Sequence, residues 1–294
     1  MRRLVAVAWL CLAALTDAAG AQTLDRIAAQ KEVRIGFIAD QAPFSSGGSD
    51  GVPVGYAIDI CGVVLQAIDR RVEGVKPSYV ETSLADAFSA VASGQIDMLC
   101  GAVTATLKRR ETVDFSEPIF LTGTAALFGA HAPRDLRELF LGDREISGPR
   151  SPELQPYQTL RIGVRLGTTT ESALREAVVQ GGYRAQIFGF ASHGEGLAAL
   201  ESRDIDAYFA DRALLAELLR RARDPSRLVI GTRLFTREPY SIAIQRGDSD
   251  FRLLIDRALS QFYSRPEFSA LLARYFGAEA AGMRAQVLLS SIHE

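Results

Sequence analysis

The sequence predicts an α/β protein built as two lobes, and three observations carry that expectation. Strand-like apolar runs alternate with stretches of helical period along most of the chain, as in βα units whose sheets are covered on both faces. The pattern breaks once, in a Pro-, Gly- and charge-rich stretch at residues 134–158, and then restarts. A chain of 294 residues is also long for one core, because domains commonly run to roughly 100–150 residues. With 48% hydrophobic and 23% charged residues, its composition is that of a globular protein rather than a disordered or fibrous one.

The chain opens on Arg2 and Arg3, an apolar run at residues 4–15 and the small residues Ala19-Gly20-Ala21. That order reads as a secretory signal peptide, with cleavage expected before Gln22 and export of the remainder. Asp17 interrupts the run well short of the roughly 20 apolar residues that a membrane-spanning helix needs. Cys11 lacks the small-residue context of a lipoprotein signal.

In order, residues 33–39 read as a first strand and 56–68 as the helix after it, with Asp59 near its start. Residues 84–93 read as a second helix closed by Gly94, and 96–100 as a second strand. The segment at 134–158 reads as a long surface connection. Then follow strand 161–165, helix 170–179, strand 185–190, helix 194–201, strand 205–210 and helix 212–221. A strand at 240–245 and helices at 249–263 and 266–276 come last, either as a third unit or as a return to the first lobe. Residues from 279 onward read as a loosely held helix.

Several function classes are disfavoured. A net charge of -2 and a pI near 6.0 leave no electrostatic footprint for nucleic acid or an anionic membrane. The run Arg220, Arg221, Arg223 reads as the solvated end of a helix. His131, His193 and His293 are too scattered for a metal-ligand motif, and no cofactor is expected. Gly194-Glu-Gly196-Leu-Ala-Ala199 fits G-x-G-x-x-A, with Asp211 downstream. Yet Ala191, Ser192 and His193 separate the strand from the first glycine, which loosens the turn that a dinucleotide fingerprint requires. Cys61 and Cys100 remain after the leader. An oxidising compartment permits them to pair, spacing does not show whether geometry does, and two buried free thiols is the expected state.

Thr104-Ala-Thr106-Leu-Lys-Arg109, continuing to Val113-Asp114-Phe115-Ser116-Glu117-Pro118, resembles the signature of the family 3 periplasmic solute-binding proteins of polar amino-acid ABC transporters. Gly55-Tyr56-Ala-Ile-Asp59 looks like that family's first-helix entry, and Ser93-Gly94-Gln-Ile-Asp97 like its helix-to-strand step. Gly163-Val-Arg-Leu-Gly167-Thr168-Thr169 looks like its phosphate-loop-like turn, and Asp206-Ala-Tyr-Phe-Ala-Asp211 like its last second-lobe strand. The resemblance spans residues 24–277. It implies a type II periplasmic binding fold, each lobe a mixed sheet flanked by helices, with two hinge strands near residues 119–127 and 239–243. Lobe 1 would take residues 22–121 and 239–278, lobe 2 residues 122–238, and the tail 279–294. It also implies a monomer that captures a free amino acid, polar or acidic, by hinge closure for an inner-membrane ABC permease, and that is not an enzyme. The alternative is a dehydratase-like enzyme on the same scaffold, which a fold does not exclude.

A cleft that buries a free amino acid must pair both its carboxylate and its ammonium. The resemblance makes Arg109 the carboxylate partner, suited by its planar fork. Thr168 and Thr169 precede a helix, so their N–H groups and hydroxyls meet the same anion at a positive helix end. Thr104 and the backbone at Ala102 add hydrogen bonds from the first lobe. Asp211 takes the ammonium, or caps the helix that follows it, or does both. Phe44 matches the family's aromatic wall over the ligand. Cys100-Gly101, Ile119-Phe120, Thr122-Gly123-Thr124 and Ser192-His193-Gly194 resemble the glutamate/aspartate branch, where His193 would help read the side chain. That branch has further arginines where this chain shows Ile38 and Ala87, which weakens an acidic assignment.

Overall fold

The computed structural model describes residues 22–130, 132, 134–141, 160–181 and 185–292. The expected signal peptide, His131, His293 and most of the 134–158 connection lie outside them. Two five-stranded sheets organise the chain. The first lobe contains α1 (Gln22–Gln30), β1 (Glu32–Phe37), the short pair β2 (Asp40–Gln41) and β3 (Ser45–Ser46), and α2 (Tyr56–Arg71). It continues through β4 (Lys76–Glu81), α3 (Ala87–Ala92), β5 (Met98–Leu99) and β6 (Val113–Thr122). The second contains β7 (Thr124–Gly129), α4 (Arg134–Leu141), β8 (Arg161–Arg165), α5 (Thr169–Gly181), β9 (Gln186–Phe190) and α6 (His193–Glu201). It is completed by β10 (Ala207–Asp211), α7 (Arg212–Arg221) and β11 (Leu228–Ile230). The chain then returns to the first sheet through β12 (Glu238–Gln245), followed by α8 (Ser249–Tyr263), α9 (Pro266–Phe276) and α10 (Ala280–Ser290).

The strand orders are β4-β1-β5-β12-β6 and β11-β7-β10-β8-β9. Both sheets are mixed. β1 lies parallel to β4 and β5 while β12 runs antiparallel to β5 and β6; β8 lies parallel to β9 and β10 while β7 runs antiparallel to β10 and β11. Because successive strand residues face opposite sides, each sheet feeds two cores. Ala125, Leu127, Tyr208 and Ala210 pack towards α6 and α7 with Leu197 and Leu215, whereas Ala126, Phe128, Ala207 and Phe209 pack with Phe140 of α4. That is why these strands read as unbroken apolar runs.

The two lobes repeat one local device. Asp97 accepts the Arg34 N–H at 2.7 Å and pairs with its guanidinium, and Asp206 does the same for Arg161, with an N–H contact of 2.8 Å. Gly36 and Gly163 follow two residues later, and a Cβ on either would stand 2.5 or 2.4 Å from Ile96 or Ile205. Each glycine is therefore fixed by the isoleucine that precedes the neighbouring strand.

Three expectations are corrected. Cys61 on α2 and Cys100 after β5 form a disulfide, with Cα atoms 6.4 Å apart, rather than two free thiols; the required approach is tertiary and leaves no trace in spacing. The stretch at 134–158 is not wholly a connection, because its first residues form α4, whose Phe140 is buried against Phe128 and Phe209. The C-terminal helix is held rather than loose: Val287 is wholly buried in the first core and the Ile292 N–H bonds Glu117 at 2.9 Å. Arg220 and Arg221 are exposed and pair with Glu217, and Arg223 pairs with Glu201.

Candidate functional site

The two crossings between lobes lie side by side. Gly123 alone separates β6 from β7, and Glu238 at the start of β12 pairs with Thr122. A Cβ on Gly123 would stand 2.3 Å from the Thr236 carbonyl, so the two crossing chains are in close contact. Between the lobes is a narrow pocket, partly open to solvent, with a water-accessible volume of about 30 Å³. Seven of the eight expected residues line it: Ala102, Thr104, Arg109, Thr168, Thr169, His193 and Asp211.

Arg109 is half-buried in the segment between β5 and β6. Its Nη1 donates to the Thr104 carbonyl at 2.7 Å and its guanidinium lies 4.6 Å from the centre of the Phe88 ring. Burial lowers its pKa from the ordinary value, while Glu238 and Asp211 oppose that shift. Among the described residues no carboxylate comes within ion-pair distance of it.

Asp211 ends β10 and is buried in the wall of the pocket. Its two oxygens accept from the hydroxyls of Tyr240 and, at 3.4 Å, Thr124. Burial first and the nearby Glu238 second raise its pKa to about 7, against the lowering effect of those hydroxyls and Arg109. It makes no side-chain cap bond to α7, so the capping role considered for it is not the one it plays.

The first turn of α5 closes the third side. Thr168 caps the helix, accepting the Glu171 N–H at 3.1 Å, so its hydroxyl is already committed. Thr169 donates to Glu238 at 2.9 Å, and Thr170 lies 2.9 Å from Thr124. Ala102 lines the pocket, but its N–H donates to Gln41 at 3.0 Å, so the donor expected there is engaged.

Phe44 is the correction. It is wholly buried outside the pocket, edge-on to Phe120 at 4.9 Å and to Tyr240 at 5.0 Å. It supports the site through Tyr240 rather than covering a ligand. A single loop aromatic carries no signal of which side of a wall it will occupy.

His193 opens α6 and is buried, with Nδ1 3.0 Å from the Tyr208 hydroxyl. Burial, then the Arg165 cation, lower its pKa to about 4 despite Asp40, so the ring is neutral at ordinary pH. Gly196 allows this arrangement, since a Cβ there would stand 2.1 Å from the Tyr208 ring. The glycine of the apparent dinucleotide fingerprint thus serves helix-to-strand packing.

Four residues of the site were missed by sequence reasoning: Gln41, Arg165, Thr170 and Glu238. Arg165 closes β8 and pairs with Asp40 of the first lobe at 2.7 Å, spanning the cleft. The His193 N–H reaches the other Asp40 oxygen at 3.2 Å. A charged residue at the end of the buried run Ile162-Gly163-Val164 was the available signal. Among the described residues no group of three potential metal ligands gathers, and no helix is long and apolar enough to cross a membrane.

Known proteins are similar to this chain in sequence and in fold. The L-glutamate/L-aspartate-binding protein of Pseudomonas aeruginosa is 25% identical over 260 residues, covering 86% of this chain and 80% of that one. The glutamate/aspartate import solute-binding protein of Escherichia coli is 24% identical over 272 residues, covering 90% and 83%. Among solved structures, the ancestral amino acid-binding protein described as a precursor of cyclohexadienyl dehydratase superposes with a TM-score of 0.69 at 25% identity, covering 86% of this chain and 99% of that one. An ancestral arginine-binding protein bound to arginine gives 0.68 at 24% identity, covering 84% and 99%. Residues 33–278 match the family described as bacterial extracellular solute-binding proteins, family 3, and the chain belongs to that family.

Proposed function

We propose that this protein captures a free L-amino acid between its lobes in the periplasm and presents it to the inner-membrane permease of an ABC importer. One observation carries the reading: a guanidinium without an ion-pair partner among the described residues, Arg109, shares a pocket with the buried carboxylate of Asp211. Those are the two charges that a zwitterion requires in a desolvated cleft. Arg109 and the first turn of α5 take the carboxylate, and Asp211 with the Thr124 hydroxyl takes the ammonium. Closure about Gly123 and Thr236 brings the lobes onto the ligand, as in other hinge-closing proteins. The names of the relatives, which bind glutamate, aspartate and other amino acids, support the same reading. A thermal-shift screen against the common amino acids tests it, because a ligand selective for the folded state raises stability by about 2.7 kcal/mol at a hundredfold excess over Kd. No shift with any of them would sink it.

A dehydratase-like enzyme is favoured by one observation, since a carboxyl group poised near neutrality, as Asp211 is, suits proton transfer. Recovery of the bound ligand chemically unchanged after long incubation separates a carrier from an enzyme.

The raised pKa of Asp211 gives a pH signature. An ammonium beside it favours the ionised form, so binding expels a proton wherever the empty site is protonated. Affinity should therefore fall as pH drops below about 7, by at most about tenfold per pH unit. Calorimetry at pH 6 in buffers of different ionisation enthalpy should register proton release, which fades by pH 8 and is absent in Asp211→Asn. Flat affinity between pH 8 and pH 5 would remove Asp211 from the ammonium role. The ligand-free fold responds in the opposite sense: with its folded pKa above the ordinary 3.8, this group's contribution to stability is full below that value and lost as pH rises through about 7.

A further inference from the structure

We propose that Arg165 reads the ligand's side chain, its unpaired Nη1 edge taking a second carboxylate, so that an acidic amino acid is the preferred ligand of this cleft. The inference rests on amino-acid capture as set out above and adds to it the identity of the ligand's far end. Arg165 is 6% exposed and lines the pocket. Two of its three nitrogens are held, Nη2 by Asp40 at 2.7 Å and Nε by the Ala191 carbonyl at 3.3 Å. The third, Nη1, is buried without an acceptor among the described residues. A buried guanidinium nitrogen carries two donors, and leaving them unmade is costly enough that such groups call for an acceptor.

Charge points to a carboxylate as that acceptor. The Asp40 side chain is 34% exposed against 7% for Arg165, so water screens the anion more than the cation and the field inside the pocket is positive at this end. Arg109, Asp211 and Glu238 influence one another at the other end, where the main-chain zwitterion fits. His193, held neutral with Nδ1 engaged by Tyr208, lines the same pocket close enough to Arg165 for that cation to lower its pKa. The first lobe supplies no second cation: Arg109 and Arg165 are the cations of the lining, and Ile38 and Ala87 pack into an apolar cluster with Val91 and Leu99. When Arg34-Ile-Gly36 is laid on Arg161-Ile-Gly163, Arg165 falls on the position of Ile38. The cleft edge thus carries its cation from the second lobe, already clamped in place before a ligand arrives.

Calorimetric titration of L-glutamate, L-aspartate, L-glutamine, L-asparagine and L-arginine into the parent, Arg165→Gln, Asp40→Asn and Arg109→Ala tests the assignment. The parent should bind one of the acids on the order of a hundredfold more tightly than its amide. Arg165→Gln should bring that ratio near unity, chiefly by weakening the acid, while Asp40→Asn keeps it because the guanidinium survives. Should Arg165→Gln melt well below the parent, Arg165→Lys serves instead, with an intermediate ratio expected from a cation lacking the planar fork. A parent that prefers amides or L-arginine, with binding still lost in Arg109→Ala, would leave the amino-acid site standing and overturn Arg165 as its reader. Equal weakening of every ligand by Arg165→Gln and Asp40→Asn would likewise reduce Arg165 to a clasp between lobes. No binding by the parent at all would overturn both readings.

Discussion

Arg109→Ala is expected to abolish ligand binding at ordinary concentrations while leaving the ligand-free protein folded. Removing one partner of a desolvated, hydrogen-bonded charge pair costs about 2–5 kcal/mol, which is about thirtyfold to several thousandfold in Kd. The upper part of that range applies, because the remaining groups near the carboxylate are helix N–H donors and a threonine already committed to Glu171. In the empty protein the same change removes one hydrogen bond to Thr104 and a contact with Phe88, each worth about 1 kcal/mol. Arg109→Lys retains the charge but not the fork and should fall between parent and alanine. An alanine variant that binds as tightly as the parent would remove the carboxylate assignment and most of the case for the site.

The second large effect is on stability. Replacing Cys61 and Cys100 together with alanine should lower stability by about 4 kcal/mol in the chain-entropy account, given the sequence separation of 39. For a protein of this size that is roughly 8–16 °C in melting temperature. Both sulfurs are wholly buried, so alanine is preferred to serine, whose hydroxyl would lack a partner. The bond also anchors the segment that leads into Gly101 and Ala102 at the pocket. Ligand affinity should therefore weaken less than stability does. A double variant that melts with the parent would show that the core alone fixes this part of the first lobe.

Apolar runs revealed some strands and not others: β9 was read although it is half-exposed, whereas β6 and β7, largely buried, entered only through the resemblance, as one hinge strand. β8, β10 and β12 are recognisable because both of their sides are largely buried, whereas β4 is an edge strand with Lys76, Pro77 and Glu81 exposed and the rest half-buried, so Lys76-Pro-Ser-Tyr-Val-Glu81 has no run to notice. The helix at Ala280–Ser290 has almost no polar face to set against its apolar one, and its seat is made by Val287 entering a core built from distant segments. Of the expected site residues, Arg109, Thr169 and Asp211 line the pocket; they were named through the family's motifs, because on its own an arginine in Lys108-Arg109-Arg110 reads as surface charge and Gly167-Thr168-Thr169 as a helix cap. Phe44 was misassigned because its place depends on Tyr56, Phe120, Tyr240 and Phe276 meeting around it, a convergence that no local pattern encodes. Arg165 was passed over as the end of a strand. Its burial follows only once Asp40 arrives from the other lobe.

That last contact bears on how empty and loaded protein differ. The bond between Asp40 and Arg165 contains no ligand atom, so part of the free energy that closes the lobes belongs to the protein itself. A larger closed fraction in the empty protein reduces the conformational penalty on apparent affinity, since that penalty scales with the fraction competent to bind. The same fraction is a population of unloaded carriers shaped like loaded ones, which compete for whatever surface reads the closed form. Affinity gained through this bond is therefore exchanged against the contrast between empty and full, and the partial exposure of Asp40, which leaves the pair open to screening by salt, sets where that balance lies.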